Sequence, residues 1–208
     1  MFHATIRRWL SYITQPVAKG IAAIGITANM LTITGLIFGI IAGICIAIGR
    51  LKLAGVLILV GGSFDLMDGA VARVSKVTNP FGALLDSVVD RYSEGAIFLG
   101  LAIYFSINGG SRMVTGLALT GLALISSFLV SYVRARAEGL KVECKVGLMQ
   151  RPERIIILAL GVLLGDMTFK SFNSSFLIVA LWILVILSHI TVLQRVAFAL
   201  KEFHGIRA

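Results

Sequence analysis

GGSFDLMDGAVARVSKVTNPFGALLDSVVDR, residues 61–91, holds four of the ten acidic residues in the chain. Asp65 and Asp68 stand at i, i+3, and Asp86 and Asp90 at i, i+4, so on a helix each pair shares one face. Apolar sequence flanks the stretch on both sides, and a turn signal at 78–80 divides it. This spacing predicts two neighbouring antiparallel helices that aim four carboxylates into one pocket. Glu94 continues the Asp86/Asp90 face, either as a hydrogen-bond partner for the site or as a buried protonated acid.

Working outward, hydrophobic residues make up 58% of the 208 and charged residues only 14%. Soluble domains carry about 25% charge, and mean hydropathy here is +0.96. Six apolar stretches near the length a bilayer requires run over 28–48, 53–74, 82–107, 113–136, 154–169 and 174–196. The fifth is short and can extend back to Arg151. The expected fold is an all-α integral membrane protein of one domain over 1–208. Its six-helix transmembrane core spans 28–196, and residues 1–20 form an amphipathic helix at the interface. In that segment Phe2, Trp9, Leu10 and Ile13 face apolar material and Arg7 and Arg8 face headgroups. No signal-peptide pattern is present in it.

The net charge of +9 falls between the apolar stretches, which points to anionic lipid and a phosphorylated substrate and not to nucleic acid. With the N-terminus cytoplasmic, 15 of the 19 Lys and Arg residues lie on the cytoplasmic side, as the positive-inside rule requires. Both termini and the active site are therefore expected there, in a multi-pass cell membrane protein. Cys45 and Cys144 form no CxxC pair, and His3, His189 and His204 lack metal-ligand spacing.

A carboxylate at the bilayer centre costs about 2.5–3.5 kcal/mol on insertion scales, and four together repel. A cation must compensate. Hard oxygen donors select Mg²⁺, Mn²⁺ or Ca²⁺, and four aspartates suit a two-metal centre. Mg²⁺ is the expected cofactor, possible as a pair of ions, with Mn²⁺ also suitable. Gly69, Ala72 and Gly82 leave room for a phosphate or a flat ring beside the helix backbone, and Arg73 can hold a phosphate in bidentate fashion. The competing reading of the aspartates is simple pairing with Arg73, Arg91 or Lys76.

Together these residues read D-x-x-D-G-x-x-A-R, eight residues, then G-x-x-x-D-x-x-x-D: Asp65, Asp68, Gly69, Ala72, Arg73, Gly82, Asp86 and Asp90. The pattern resembles the signature of the CDP-alcohol phosphotransferase family at all eight positions. The resemblance implies that Asp65, Asp68 and Asp86 bind metal and that Asp90 binds metal or acts as the catalytic base. It also implies that Asn29, Thr32, Gly69, Ala72, Arg73, Thr78 and Gly82, with Asp65 and Asp68, receive the CDP-lipid. Members often carry P-N-x-x-T at the start of the first span; here it is Ala28-Asn29-Met30-Leu31-Thr32, without the proline. Helix capping is the alternative reading of Asn29 and Thr32. A homodimer is implied as well. Gly35, Gly39 and Gly43 give the first span a small-residue face that could pack within one chain or between two.

Arg134, Arg151, Arg154 and Arg195 gather at the cytoplasmic ends of the later spans and suit an anionic acceptor. S-Y-V-R-A-R-A-E (131–138) and R-P-E-R (151–154) resemble the branch of the family that makes phosphatidylinositol phosphate. By that likeness Arg134, Arg154 and Arg195 would hold the acceptor phosphate, with Arg151 the weaker candidate. The expected reaction moves a phosphatidyl group from CDP-diacylglycerol, or a CDP-linked ether lipid, to inositol 1-phosphate and releases CMP. Glycerol 3-phosphate is the alternative acceptor. A membrane cation channel or transporter is the alternative of another class, but it leaves Gly69, Arg73 and Gly82 without a role. Aspartate-rich membrane prenyltransferases keep their two motifs far apart in the chain, whereas here one turn separates them.

Overall fold

The computed structural model describes residues 14–75, 80–165, 168–169, 174–203 and 205. Residues 1–13, expected to form most of the interfacial helix, lie outside the described residues; 14–23 are helical (α1). Six longer helices follow: α2 (Ala28–Ala47), α3 (Leu51–Ser75), α4 (Pro80–Asn108), α5 (Met113–Gly139), α6 (Arg151–Leu163) and α7 (Phe176–Phe203). A single 3₁₀ turn, Gly110–Arg112, leads into α5.

Local chemistry sets the boundaries. The Thr27 side chain accepts from the Met30 N–H and caps α2, so Ala28 occupies N1, where a proline is otherwise favoured. The missing proline therefore costs the turn little, and capping of α2 is the work of Thr27, not of Asn29 or Thr32. Gly49, at φ +78°, ends the helix. Its N–H reaches Ile46 O and that of Arg50 reaches Cys45 O, both at 2.8 Å, which is the Schellman arrangement. Pro80 opens α4 and Pro152 lies in the first turn of α6, positions where the missing N–H is harmless. The fifth apolar stretch was expected to be helical to residue 169, but α6 ends at Leu163. The chain then turns, and Thr168–Phe169 pairs antiparallel with Ser174–Ser175.

The six long helices close into a ring. α2 packs on both α3 and α4, α4 on α5, α5 on α7, α7 on α6, and α6 back on α3. Their shared core includes Ile46, Phe98, Leu101, Leu119, Leu181 and Leu184. The small-residue face of α2 is used inside the chain. A Cβ on Gly43 would stand 2.4 Å from Ala96 O, and one on Gly39 would stand 2.0 Å from Ser93 Oγ, so backbone meets backbone where α2 crosses α4.

The outside is apolar. Ile37, Ile40, Ile41 and Ile44 on α2 and Leu193 and Val196 on α7 are all exposed, a surface suited to lipid and not to water. Four helical segments, Ala28–Ala47, Leu51–Ser75, Gly110–Gly139 and Phe176–Phe203, are long and apolar enough to cross a membrane. α4 carries Asp86, Asp90, Arg91 and Glu94 along its first half, and α6 has 13 residues. Several hydroxyls within the spans return to their own helix, as Thr34 to Met30 O and Ser106 to Ala102 O, which keeps them satisfied without water.

Candidate active site

The N-terminal half of α2, the middle of α3 and of α4 and the start of α6 border one cleft, lined among others by Thr32, Asp65, Asp68, Asp90, Glu94 and Arg151. Gly35 and Gly39 of α2 and Gly61 and Gly62 of α3 line part of it. Gly39 is opposed by Ser93, Gly61 by Phe38 and Gly62 by Ile155, so these glycines let the helices pack closely and bring the polar groups of the cleft together.

Asp65, Asp68 and Asp86 converge, each with a carboxylate oxygen within 4.8 Å of the others. Asp68 is buried and accepts from the Thr32 hydroxyl at 2.7 Å, while that hydroxyl also approaches Ala28 O at 3.0 Å. Thr32 is thus tied to the carboxylates through Asp68. Asp86 keeps one buried oxygen, Oδ1, without a hydrogen-bond partner. An unsatisfied buried carboxylate oxygen costs free energy, and a hard cation relieves that cost. Oxygens on opposite sides of Mg²⁺ stand about 4.2 Å apart, and somewhat farther for Ca²⁺. The three carboxylates therefore fit a divalent ion with little adjustment.

Asp90 sits one turn beyond Asp86 and is buried. Arg151 reaches it from α6 at 2.5 Å and also pairs closely with Asp65, while Arg91 contacts its other oxygen at 3.3 Å. Pairing therefore accounts for Asp65 through Arg151, and for Asp90 through Arg151 and the expected Arg91. Asp68 is held by a hydroxyl, and among the described residues no guanidinium pairs with it.

The remaining predicted positions are distributed as follows. Arg73 is exposed and lies over Gly69, its Nη1 3.4 Å from where a Cβ would be. Ala72 and Gly82 are half-buried, and Asn29 is exposed on the first turn of α2. Thr78 and Lys76 lie outside the described residues.

The other arginines differ sharply in their surroundings. Arg195 is 3% exposed. It donates to Val146 O at 2.9 Å and closely to Val130 O, and no carboxylate pairs with it among the described residues. Its electrostatic neighbours are Cys144, Arg134, Arg154 and Glu138. Arg134 is exposed and pairs with Glu138 at 2.8 Å. Arg154 is 2% exposed and donates through Nε to Glu94 at 3.3 Å. A buried guanidinium held by carbonyls, with no directly paired carboxylate among the described residues, is costly unless an anion joins it.

Some participants were not anticipated from the sequence. Ser127 donates to Glu94 at 2.5 Å, and Ser93 and Gly39 meet at the cleft wall. The adjacent hydroxyls Ser126 and Ser127 inside an apolar span were the available signal, since buried hydroxyls need partners. Thr191 and Gln194 bond the backbone of Met149 and Leu148 at 2.9 and 3.2 Å and fix the loop that delivers Arg151 and Arg154.

Comparison with known proteins agrees with this geometry. The family model described as CDP-alcohol phosphatidyltransferase matches residues 25–199. Archaetidylinositol phosphate synthase of Methanothermobacter thermautotrophicus is 38% identical over 197 residues, 95% of this chain and 91% of its own. Phosphatidylinositol phosphate synthase of Mycolicibacterium smegmatis is 34% identical, over 88% of this chain and 82% of its own. The crystal structure of the Mycobacterium tuberculosis phosphatidylinositol phosphate synthase with CDP-DAG bound superposes with a TM-score of 0.77 at 32% identity, covering 90% of this chain and 94% of that one. The same enzyme in complex with manganese and citrate gives 0.78 at 31% identity, covering 90% and 89%. A carboxylate cluster suited to a divalent cation, set in apolar helices and matched along nearly the whole chain, makes this membrane enzyme a member of the CDP-alcohol phosphatidyltransferase family.

Proposed function

We propose that the protein transfers the phosphatidyl group of CDP-diacylglycerol, or the corresponding group of a CDP-linked ether lipid, to the hydroxyl of inositol 1-phosphate. CMP is the leaving group. The observation that carries the acceptor is Arg195, buried near Arg154 and Arg134, with two carbonyls for hydrogen-bond partners and no carboxylate directly paired with it among the described residues. An uncompensated buried guanidinium suits a phosphate dianion and has no use for serine or free inositol. The names of the relatives support the same choice.

In this reading Asp65, Asp68 and Asp86 hold Mg²⁺, with Asp90 joining them if two ions bind; Mn²⁺ would serve in its place. The bound ion would offset negative charge on the pyrophosphate as the phosphorus–oxygen bond breaks. Asn29, Thr32, Gly69, Ala72, Arg73, Thr78 and Gly82 receive the CDP moiety. Arg73, whose guanidinium lies over Gly69, would contribute to holding the diphosphate, and Thr32 keeps Asp68 oriented. Arg134, Arg154 and Arg195 grip the acceptor phosphate, and Arg151 adds to them when it leaves the aspartates. Asp90 takes the proton of the acceptor hydroxyl, whose oxygen attacks the lipid-side phosphorus in line as CMP departs.

The same reading places one membrane domain with all six long helices crossing the bilayer and the 1–20 segment at its surface. α6, about 20 Å long as a helix, needs the residues after it to complete its crossing. Both termini and the cleft face the cytoplasm, and two copies associate.

The test is CMP release by the purified protein with CDP-diacylglycerol and Mg²⁺, offered inositol 1-phosphate, glycerol 3-phosphate, serine or inositol in turn. Release with inositol 1-phosphate above the others is the expected result. Preference for glycerol 3-phosphate would replace the acceptor, and equal use of unphosphorylated inositol would remove the arginines from the acceptor site.

A further inference from the structure

We propose that Glu94 is a positioning residue that aims Arg154 at the acceptor phosphate, an inference that rests on the acceptor reading above. Glu94 follows Asp90 by one turn of α4 and lines the same cleft, yet it is not among the carboxylates that converge on the cation site. Its Oε1 accepts from two neighbours at once: the Ser127 hydroxyl of α5 at 2.5 Å and Arg154 Nε of α6 at 3.3 Å. Three helices of the ring are joined at that one oxygen.

The form of the contact matters. An arginine whose work is to brace a structure commonly meets a carboxylate through two parallel N–H bonds. Arg154 meets Glu94 through Nε alone, although it is almost entirely buried. A guanidinium has five N–H donors in a rigid fork. Fixing it at Nε sets the plane of the fork and leaves the Nη groups for a ligand. Ser127 in turn fixes the carboxylate, which has no need to follow the guanidinium. Arg195, held through Nε and Nη1 by two carbonyls, is its counterpart on α7. The two side chains are oriented before a phosphate arrives, and preorganisation of this kind reduces the ordering cost of binding. Glu94 also balances one of the charges in the arginine set, so that the free protein tolerates them.

The test uses the full-length protein in lipid nanodiscs with saturating Mn²⁺ and measures KM separately for inositol 1-phosphate and CDP-diacylglycerol. Glu94→Ala is expected to raise KM for the phosphorylated acceptor about tenfold or more, as for loss of a charge-assisted hydrogen bond, and to leave KM for CDP-diacylglycerol unchanged. Glu94→Gln, which keeps an accepting oxygen, should lie between. The double variant Glu94→Ala with Arg154→Ala should behave like Arg154→Ala alone, since Glu94 acts through that arginine. Independent, multiplying effects would overturn the proposal, as would an equal rise in KM for CDP-diacylglycerol. Should Glu94→Ala fail to fold, Glu94→Gln and Ser127→Ala carry the test: a selective rise in acceptor KM supports the proposal, and an unchanged acceptor KM in both defeats it. Arg154→Ala separates this inference from the one beneath it. No change in acceptor KM there removes the acceptor assignment and this proposal together, whereas a rise there with none in the Glu94 variants removes only the role of Glu94.

Discussion

Asp68 and Asp90 are both buried carboxylates, and their different partners divide their work. Asp68 is oriented by the neutral hydroxyl of Thr32 and stays available to a cation. Removing that hydroxyl with Thr32→Val should weaken divalent-ion binding about tenfold, within the range for partners that orient a metal ligand; titration of activity with Mn²⁺ measures it. Asp90 is engaged by Arg151 and Arg91 and must exchange at least one of them to accept a proton. With Asp90 as base, Asp90→Asn should cut turnover by about 10²–10⁴ while substrate binding persists. Retained turnover would exclude that role. These aspartates were legible in the sequence because i, i+3 and i, i+4 spacing is a local property. The Glu94–Arg154 contact was not, since its members lie 60 residues apart and nothing local links them.

At the scale of the helix, apolar length located α2 to α5 to within a few residues, whereas α6 ends six residues short of 169 and α7 runs seven residues past 196. Pro80 and Pro152 start helices slightly earlier than hydrophobicity alone indicates. The end of α6 was misplaced because apolar residues such as Leu164 and Phe169 continue beyond it, although the chain turns at Leu164 and Gly165 and pairs Thr168–Phe169 with Ser174–Ser175. The glycine face of α2 could not be assigned to an internal or external contact from sequence, because small residues serve both. In the fold it meets α4 at backbone distance. Gly43→Ala should therefore destabilise the protein by about 1–3 kcal/mol, the usual cost of overpacking. Gly121→Ala on α5, where no atom lies within 4 Å of the added carbon, should be neutral or slightly stabilising. Thermal unfolding of the two variants in detergent compares them directly.

At the scale of the molecule, a ring of helices presents isoleucine and leucine outward and gathers charge on the inside faces of α3, α4 and α6. The proposed orientation is checked by attaching reporters to each end; a periplasmic or extracellular signal from either would reverse it. Electrostatics also link folding to the ion. Arg151 joins Asp65 and Asp90 across two helices, and removing it leaves two partly buried carboxylates without their counter-charge. The unaltered protein should lose only a few degrees of Tm in chelator, whereas Arg151→Ala should lose much more and recover when Mn²⁺ is restored. If chelator affects the two equally, the arginine contributes nothing to the metal-free fold.

That clasp bears on how the enzyme comes into being. Newly made membrane segments reach the bilayer before their inorganic ligands do, and a nest of like charges would hold them apart. A side chain that serves as temporary ballast lets the helices assemble first and be loaded later, so biogenesis need not wait on the cellular supply of divalent ions.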